Sequence, residues 1–463
     1  MRSPVVTDAL LVGNNLAVLV AAAELGEAGR DVVLVTDGRP AGGHFRGRAV
    51  GGTTFDVGMV VLERSPGSGP APDPAGYRPG RRYDWTRFGA LVDDWLDAHA
   101  GLRCAPTPEA LVDGRRRPDH LLADRLDVLA DLDVPPPAPL PRDDPAHAAA
   151  KTTSAAYDTL TYAEAARVNH GPQLHRRLVE PFADKVLGPL AGELLARYHR
   201  AAWLPLYWPE TLAAACAGEP TGLPEHRFWT TEGGAVAEVV AALESRVVRL
   251  PNVHVSAAAV ESMTAGRAGW EVRTADGPVV SHARPVLGLG HDRVQQLLGL
   301  PVTARVPGAA VVVVCCLVRA AAMTAPSPSL AVLDPALATY RITDQDLMAG
   351  RDPEWHRVVV EAGVRVPDED LAPRLVSELC ALLGVDPVPE GEGLRDVRVL
   401  ATMTSANGIA VPTAAALAAD EDARAALAEA CPEALPTGVL AGVGVSSLSD
   451  QVVQGLAVAA QLR

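Results

Sequence analysis

The sequence predicts an α/β protein that combines a doubly wound parallel sheet with an inserted helical region and a mixed β-sheet domain. A strand–turn–helix–strand order occupies residues 9–35, as in a mononucleotide-binding unit. Apolar strands of the same kind return at Pro285–Leu289 and Val439–Val445. β-Rich segments follow at Ala309–Leu317, Leu330–Ile342, Val358–Ala362 and Val397–Met403. We therefore expect one sheet assembled from early, middle and late segments, with other material inserted between them.

The opening unit follows from apolar runs and glycines. Ala9–Val12 is a continuous apolar run that ends at Gly13, as a buried parallel strand does. Leu16–Leu25 is rich in strong helix formers, and Gly29 follows it, which predicts a helix with a glycine stop. Asp31–Val35 is a second apolar strand. Together they predict the first β-α-β unit of the parallel sheet.

Later elements are predicted from the same signals. Helical patterns dominate from Asp84 to Ala215. Helices are expected at Trp85–Leu96, from Tyr162, at Ala235–Leu243, at Leu371–Leu383 and at Asp450–Leu462. Strands are expected at Val253–Val255, Val260–Met263, Trp270–Thr274, Val279–Val280, Ala309–Leu317, Val358–Ala362 and Val397–Met403. These patterns divide the chain into a dinucleotide-binding domain over 1–63, 225–300 and 432–463, a linker over 64–82, a helical insert over 83–224, and a β-rich substrate domain over 301–431.

Composition excludes several classes of function. The chain has 463 residues, which is more than one hydrophobic core usually organises. It holds 41 Lys+Arg against 56 Asp+Glu and has a net charge of −15, so we expect no nucleic-acid surface. No uninterrupted apolar run is long enough to cross a membrane, and the six cysteines show no metal-binding spacing. We expect a cytoplasmic protein without a structural metal.

Several short motifs follow one another in a recognisable order. They are the turn after Gly13, the pair Gly42-Gly43, Phe55-Asp56-Val57-Gly58, Phe228–Gly234, Val260, Tyr340-Arg341 and Asp450-Gln451-Val452. In their order and spacing these motifs resemble those of the FAD-dependent amine oxidase superfamily, and within it the branch of the UDP-galactopyranose mutases. The resemblance implies a Rossmann-type FAD-binding domain. It also implies that the cofactor is bound by Gly13, Asn15, Thr36, Asp37, Gly42, Gly43, Val260, Gly442, Gly444 and Gln451.

The motifs that would hold FAD depart from the family pattern. The Gly-x-Gly-x-x-Gly turn has Asn15 and Val18 in place of its second and third glycines. Those glycines allow the pyrophosphate to approach and let helix and strand pack closely. Thr36 occupies the position of the acid that binds ribose, and Asp37 comes one residue late. The N-terminus of the following helix would still attract an anion through its free N–H groups.

Three side chains are candidates for chemistry. His44 follows the Gly42-Gly43 turn, so it would lie near a flavin ring or a substrate phosphate, or else it is a loop histidine. Arg341 could clamp a phosphate or carboxylate, or it is a surface arginine on a strand. Tyr157 lies in the helical insert and would line the substrate side or belong to the core. Aromatic residues are concentrated at Trp203, Tyr207, Trp208, Phe228 and Trp229.

The leading hypothesis is a flavin-dependent oxidoreductase of the amine oxidase type that acts on a small metabolite. The first alternative is a UDP-sugar mutase-like isomerase, which Asp450-Gln451-Val452 favours. The second alternative is a cofactor-free descendant of the fold that serves as a binding or partner subunit or as a non-redox enzyme. The lost glycines motivate that second alternative.

Overall fold

The structure is a computed structural model of the chain. It describes residues 5–58, 61–64, 73–77, 85–118, 159–217, 219–221, 227–266, 269–303, 306–364, 369–391 and 393–463.

The described residues form 23 strands, which are numbered in chain order. The first twelve are β1 (Val5–Thr7), β2 (Ala9–Gly13), β3 (Val32–Val35), β4 (Arg48–Val50), β5 (Thr53–Phe55), β6 (Leu62–Glu63), β7 (Leu102–Cys104), β8 (Glu109–Val112), β9 (Arg115–Arg117), β10 (Phe228–Thr231), β11 (Val253–Ser256) and β12 (Val260–Gly266). The others are β13 (Gly269–Thr274), β14 (Gly277–Ser281), β15 (Val286–Gly288), β16 (Gly308–Arg319), β17 (Ser329–Val332), β18 (Thr339–Asp344), β19 (Trp355–Gly363), β20 (Pro389–Glu390), β21 (Gly393–Leu394), β22 (Val397–Ala410) and β23 (Leu435–Pro436).

Eleven α-helices accompany these strands within the described ranges. They are α1 (Leu16–Glu27), α2 (Trp85–His99), α3 (Tyr162–Leu174), α4 (Glu180–Leu187), α5 (Pro209–Cys216), α6 (Ala237–Arg249), α7 (His291–Leu297), α8 (Gln345–Met348), α9 (Leu371–Leu383), α10 (Ala414–Ala430) and α11 (Leu448–Leu462). None of the helices in the described part of the chain combines the length and the apolar character that a membrane crossing requires.

A five-stranded parallel sheet forms the first domain. Its spatial order is β11-β3-β2-β15-β23, and every neighbouring pair is parallel. Numbered along the chain, this is the order 3-2-1-4-5 of a doubly wound sheet. The predicted fold class, and the assembly of this sheet from early, middle and late segments, are confirmed.

Helix α1 lies at the centre of this domain and is buried on nearly all sides. Its residues Leu16–Ala23 are at most 1% exposed. It contacts α11 and α6 as well as the sheet, so apolar side chains surround the whole helix, as in a helix without a solvent-facing side. This is why the segment lacks a polar face in sequence.

A seven-stranded mixed sheet forms the second large layer, in the order β22-β16-β19-β18-β17-β8-β9. One face, which includes Val313 and Val359, packs against the helical insert. The opposite face, which includes Val314 and Val360, packs against α9. The strands predicted at Ala309–Leu317, Val358–Ala362 and Val397–Met403 are confirmed, and β22 extends beyond its predicted end to Ala410.

One prediction about local structure is wrong. The segment predicted as a strand at Val439–Val445 is a 3₁₀ turn over Gly438–Ala441 followed by a loop. Gly438, Gly442 and Gly444 have φ values of +62°, +144° and +74°, which a continuous ladder does not accept. The inserted helical region also contains the short strands β7, β8 and β9, which the sequence did not predict.

The hairpin between β8 and β9 has an Asp-Gly turn. Asp113 and Gly114 both have positive φ, +49° and +74°, as a tight two-residue hairpin requires. The hairpin adds two strands to the seven-stranded sheet. Of the predicted linker, residues 64 and 73–77 are described, and the latter contain a 3₁₀ turn at Pro74–Gly76. Residues 65–72 and 78–82 lie outside the described residues. The domain boundaries themselves stay a prediction.

Candidate functional site

The topological switch point of the parallel sheet lies between the carboxyl ends of β2 and β15. Ligands of doubly wound folds bind at this kind of crevice. The two strands end in Gly13 and Gly288, which are directly paired. A β-carbon on Gly13 would lie 2.4 Å from the carbonyl carbon of Gly288. The close approach therefore requires glycine and brings the start of α1 over the crevice.

Asn15 occupies this crevice with its side chain. Its Oδ1 accepts a hydrogen bond from Val18 N at 3.1 Å, and its Nδ2 donates to Thr437 Oγ1 at 3.1 Å. A β-carbon on Gly438 would lie 2.4 Å from Asn15 Nδ2. Asn15 is thus the N-cap of α1 and also ties the helix to the turn after β23.

Gln451 of α11 binds a second donor of α1. Its Oε1 accepts from Leu16 N at 2.9 Å, and its Nε2 donates to Ser446 O at 2.8 Å. Nearby Gln454 accepts from Gly438 N at 2.6 Å. The N–H groups of Leu16 and Val18, which are among the donors of the helix N-terminus, are therefore bonded to the chain's own amides.

Asp37 and Arg293 form the polar group at the end of β3. Arg293 Nε lies 2.8 Å from Asp37 Oδ2, and Arg293 Nη2 lies 2.9 Å from Asp37 Oδ1. Val260 N donates to Asp37 Oδ1 at 2.8 Å, and Arg293 Nη2 donates to Val260 O at 2.5 Å. Burial alone would raise the pKa of Asp37, but the hydrogen bonds from Arg293 and Val260 lower it below its ordinary value.

Thr36, predicted beside Asp37 as a ribose contact, is buried. The residue is 2% exposed, and its Oγ1 donates to Ser256 O at 3.4 Å. The hydroxyl is therefore turned to the neighbouring strand β11.

The other glycines assigned to the cofactor have specific packing roles. Gly42 has φ +94°, and a β-carbon there would lie 2.1 Å from Val240 Cγ1. A β-carbon on Gly43 would lie 3.3 Å from Asn15 Cα, so this turn closes over the start of α1. Gly444 packs under the ring of Tyr198, since a β-carbon would meet its Cε1 at 2.3 Å. Gly442 ends the 3₁₀ turn.

Arg341 and Glu361 form a buried ion pair on the face of the seven-stranded sheet that packs against the helical insert. They are cross-strand partners in β18 and β19. Arg341 Nε lies 2.5 Å from Glu361 Oε2, and Nη2 lies 2.8 Å from Oε1. An irregularity in the register next to Tyr340 lets its hydroxyl reach Glu361 Oε1 as well, at 2.9 Å. Arg341 is therefore neutralised by a bidentate carboxylate.

The negative charge of Glu361 acts on His44. The His44 side chain is accessible to solvent. Desolvation by the surrounding protein still lowers the pKa of His44, Glu361 opposes this shift, and Arg48 adds to it. Gly58 belongs to the same place, because a β-carbon there would lie 3.0 Å from Glu361 Oε1. The structure thus brings His44 and Arg341, two of the predicted candidates, to one cluster.

The remaining predicted residues are not brought together. Tyr157 lies outside the described residues. Tyr207 is buried against His170, whereas Trp203 packs edge-to-face on Phe228 at 5.7 Å between ring centroids. Arg64 stacks over Trp229. The aromatic residues thus belong to separate packing clusters.

Sequence reasoning missed the role of Asp56 within its motif. Its Oδ2 accepts from Val236 N at 2.6 Å and its Oδ1 from Ala237 N at 3.0 Å, so a distant carboxylate caps α6. Desolvation raises the pKa of Asp56 to about 6, although both hydrogen bonds oppose the shift. The Phe-Asp-x-Gly pattern marks Asp56 in the sequence. Which N–H groups its carboxylate binds, however, depends on the folded chain.

The residues assigned to FAD can be tested against what the cofactor needs. A dinucleotide needs free N–H groups at the start of α1 for its phosphates, and Leu16 N and Val18 N are already bonded. It needs an acid for its ribose, and Asp37 already accepts from Arg293 and Val260. The described arrangement does not fit bound FAD.

Comparison with known proteins gives clear matches for the structure alone. No protein-family model matches the sequence, and the comparison with curated proteins gives no match. A reduced UDP-galactopyranose mutase is 15% identical, with 98% of this chain and 95% of that chain covered and a TM-score of 0.66. Cyclohexylamine oxidase from Brevibacterium oxydans is 15% identical, with 98% of both chains covered and a TM-score of 0.57.

A variant of putrescine oxidase, from a redesign of cofactor binding, is 13% identical, with 99% of both chains covered and a TM-score of 0.58. At identities this low, the TM-scores show a shared fold and nothing finer. The coverage shows that the shared fold extends over nearly the whole chain. The chain therefore has the fold that these two oxidases and the mutase share, as the sequence resemblance predicts.

Proposed function

We propose that this protein keeps the flavin-type fold as a small-molecule-binding scaffold and works without FAD, as a binding or partner subunit or as a non-redox enzyme. The observation that supports this proposal is the filled crevice at the switch point, where the side chain of Asn15 lies between the start of α1 and Thr437. We also propose that the protein is located in the cytoplasm.

The energetic argument concerns what a phosphate would have to displace. Removing a helix N-cap costs about 1 kcal/mol, and each further internal hydrogen bond contributes about 0.5 to 1.5 kcal/mol. A pyrophosphate would compete with the bonds that Asn15 and Gln451 make to α1, and its approach would meet the Asn15 side chain. Side chains of the protein thus bind two of the N–H groups, Leu16 N and Val18 N, at the helix end that attracts a dinucleotide in other doubly wound folds.

The small molecule would bind on the face of the seven-stranded sheet that carries Arg341 and Glu361. The pair is internally neutralised, so this face offers little net charge to a ligand. His44 has a solvent-accessible side chain beside it and a lowered pKa, so a neutral imidazole is available as a proton acceptor near neutral pH. A non-redox reaction would use His44 as its base.

The rival function is a flavin-dependent oxidoreductase of the amine oxidase type, or a UDP-sugar mutase-like isomerase. It is favoured by the shared fold with cyclohexylamine oxidase and putrescine oxidase, and by the mutase with its TM-score of 0.66. Under this rival, FAD would supply hydride or electron chemistry. Asn15 would first have to leave the crevice.

Absorption and thermal unfolding of the purified chain distinguish the two proposals. We expect a colourless protein whose Tm does not change with added FAD. The variant Asn15→Gly should gain a Tm increase with FAD, because it empties the crevice and frees Val18 N. Thr413→Gly is the matched control, since it removes an equivalent cap, on Ala416 N of α10, and leaves the cap of α1 in place.

A yellow wild-type protein, or one that FAD stabilises as much as it stabilises Asn15→Gly, would overturn the cofactor-free proposal. In that case reduction by an amine would indicate an oxidase, and UDP-sugar binding only to the reduced protein would indicate a mutase.

A further inference from the structure

We propose that β22 is the dimerisation strand of this protein: its outer edge pairs antiparallel with β22 of a second copy of the chain, so that two seven-stranded sheets become one continuous sheet. The contact lies at the edge of the second sheet and uses neither the crevice at Asn15 nor the Arg341–Glu361 pair. It therefore goes beyond the proposed function and holds whether or not the protein binds FAD.

β22 is a long, exposed strand at one edge of its sheet. β16 is its neighbour on the inner side, and no strand within the described residues pairs with its outer side. It extends over 14 residues, Val397–Ala410, of which nine are exposed, whereas strands usually have about five to six residues. An outer edge of this kind presents a row of unpaired N–H and C=O groups, which is a template for another strand.

The charge of β22 favours a second copy as the partner. Edge strands that stay single are often blocked by prolines, lysines or other charged side chains, and residues 397–410 contain no proline, no lysine and no acidic residue. Their one charge, Arg398, lies over the ring of Trp355, 4.0 Å from its centroid. Two copies with a net charge of −15 each can therefore meet here without bringing acidic side chains of β22 together. A charged peptide finds one counter-charge at most, so the neutral strand of a copy is the better match.

Alternation along β16 shows which neighbour each of its residues faces. In an antiparallel ladder, the N–H and C=O groups of one residue point to one neighbouring strand, and those of the next residue point to the other. Ala310 O accepts from Val364 N, directly after β19, so the even-numbered residues of β16 face β19. Arg319 N donates to Asp396 O, directly before β22, so the odd-numbered residues face β22. The pairing of β16 with β19 contains no register shift, and the alternation therefore holds along the strand.

The same alternation places two threonines on the outer edge of β22. Val313 faces β22, and its partner there is Met403, so the N–H and C=O groups of Met403 point inward to β16. Those of Thr402 and Thr404 therefore point outward, and both threonines are exposed. The register shifts of β22 lie outside Ala401–Ser405, so this stretch is a regular strand that offers donors and acceptors to a partner.

A twofold axis at Met403 pairs this stretch with itself. Thr402 then lies opposite Thr404 of the second copy, and because both point outward they exchange N–H···O bonds in both directions. The symmetry-related pair does the same, and Met403 lies opposite Met403 of the copy at the non-hydrogen-bonded position between them. Threonine pairs across strands are favourable. The axis also sets the irregular residue Leu400 opposite Ala406 of the copy, so the irregular parts of the two strands face each other. Such a self-complementary contact is the usual arrangement of a twofold dimer.

A cysteine at position 403 tests this register. In Met403→Cys the two introduced thiols face each other across a non-hydrogen-bonded pair, with about 4.5 Å between the α-carbons, a separation that a disulfide accommodates. We expect mild oxidation to give a covalent dimer in non-reducing electrophoresis. Thr404→Cys is the matched control and should not cross-link, because the residue opposite is Thr402. Wild type, with its exposed Cys104 and Cys216, gives the background.

Sedimentation equilibrium measures the association itself. We expect full-length wild type at micromolar concentration to sediment with twice the 48.3 kDa of the chain. Thr404→Pro removes an outward N–H group, and an edge strand tolerates a proline there. Because each copy loses one hydrogen bond, we expect the dimer dissociation constant to rise at least about tenfold. Thr404→Lys, which adds a charge to the edge, should act in the same direction and replaces the proline variant if that variant does not fold. Thr264→Lys, at an exposed position of β12, is the control and should leave the dissociation constant unchanged.

The outcomes separate the dimer from the proposed function. Wild-type protein that stays monomeric at micromolar concentration would overturn the dimer. Thr404 variants that associate as tightly as wild type, or a cysteine at 404 that cross-links as readily as one at 403, would overturn the pairing through β22. None of these results bears on the cofactor-free proposal, which depends on absorption and on the response of Tm to FAD.

Discussion

Gln345 holds the backbone of Asp56 from both sides: its Nε2 donates to Asp56 O at 2.9 Å, and its Oε1 accepts from Asp56 N at 3.3 Å. The carboxylate of Asp56 meanwhile caps α6 through Val236 N and Ala237 N. Asp56, which directly follows the β4–β5 hairpin, thus links this hairpin to α6 and to α8, the short helix that follows β18 of the seven-stranded sheet.

Removal of the Asp56 carboxylate should destabilise the protein strongly. Asp56→Ala leaves two buried N–H donors without their acceptor, and such losses cost about 1 to 3 kcal/mol for each group. We expect a decrease of about 2 to 5 kcal/mol in the free energy of unfolding, measured by urea denaturation. Asp73→Ala, which removes the exposed cap of a 3₁₀ turn, should change it by less than about 1 kcal/mol. Equal effects of the two variants would contradict the role of Asp56.

The same carboxyl should make stability depend on pH. Desolvation raises the pKa of Asp56 from 3.8 to about 6 in the folded protein. Between these values the folded state binds more protons than the unfolded state, so the Asp56 contribution to stability falls as pH rises and is constant above about pH 6. Relative to wild type, Asp56→Asn should therefore show a more positive slope of unfolding free energy against pH in this window. Parallel urea titrations from pH 4 to 7 measure the difference, and identical slopes would contradict it.

The fold was predictable because its strongest signals are local. The apolar runs at Ala9–Val12 and Pro285–Leu289 indicate buried parallel strands from their own composition, and the structure has β2 and β15 there. The error at Val439–Val445 has a local cause as well, because apolar residues suggested a strand, while Gly442 and Gly444 interrupt the segment and Gly438 precedes it, all three with positive φ. An apolar run is therefore insufficient evidence for a strand where glycines recur within it.

The candidate site was less predictable because its contacts join distant segments. Asn15 and Thr437 are 422 positions apart, and Asp37 and Arg293 are 256 apart. The sequence showed that the glycines were missing and that an acid was displaced by one position. Which side chains would occupy the crevice at the start of α1 and the end of β3 depends on tertiary packing, and local sequence patterns do not encode that packing.

His356 should stabilise the protein most at low pH. Desolvation opposes its protonation, but hydrogen bonds and charge attraction from Asp344, 2.6 Å away, raise the pKa of His356 above 6.5. A raised pKa contributes stability that is present below the unfolded value and is lost as pH rises through the folded value. His356→Gln should therefore destabilise the protein more at pH 6 than at pH 9 in urea titrations. His254→Gln, at an exposed position, is the control; the same pH dependence in both variants would contradict this prediction.

The Arg341–Glu361 pair should show strong coupling between its members. Both side chains are largely buried, at 13% and 6% exposure. Arg341→Met leaves a buried carboxylate without its cation, which costs about 3 to 5 kcal/mol, whereas replacing both members can be close to neutral. We therefore expect Arg341→Met to lower the free energy of unfolding markedly, and Arg341→Met/Glu361→Gln to recover at least half of the loss.

A double-mutant cycle by urea denaturation measures this coupling. The exposed ion pair between Arg273 and Glu271 provides the control cycle, which should give a much smaller coupling energy because solvent screens exposed charges. Tyr340 also donates to Glu361. It is left unchanged in the double variant, so that the amide oxygen introduced by Glu361→Gln keeps one hydrogen-bond donor. Additive effects of the two substitutions would show that the carboxylate is solvated or bonded elsewhere when Arg341 is absent, and would remove the reason to regard this face as neutral toward a ligand.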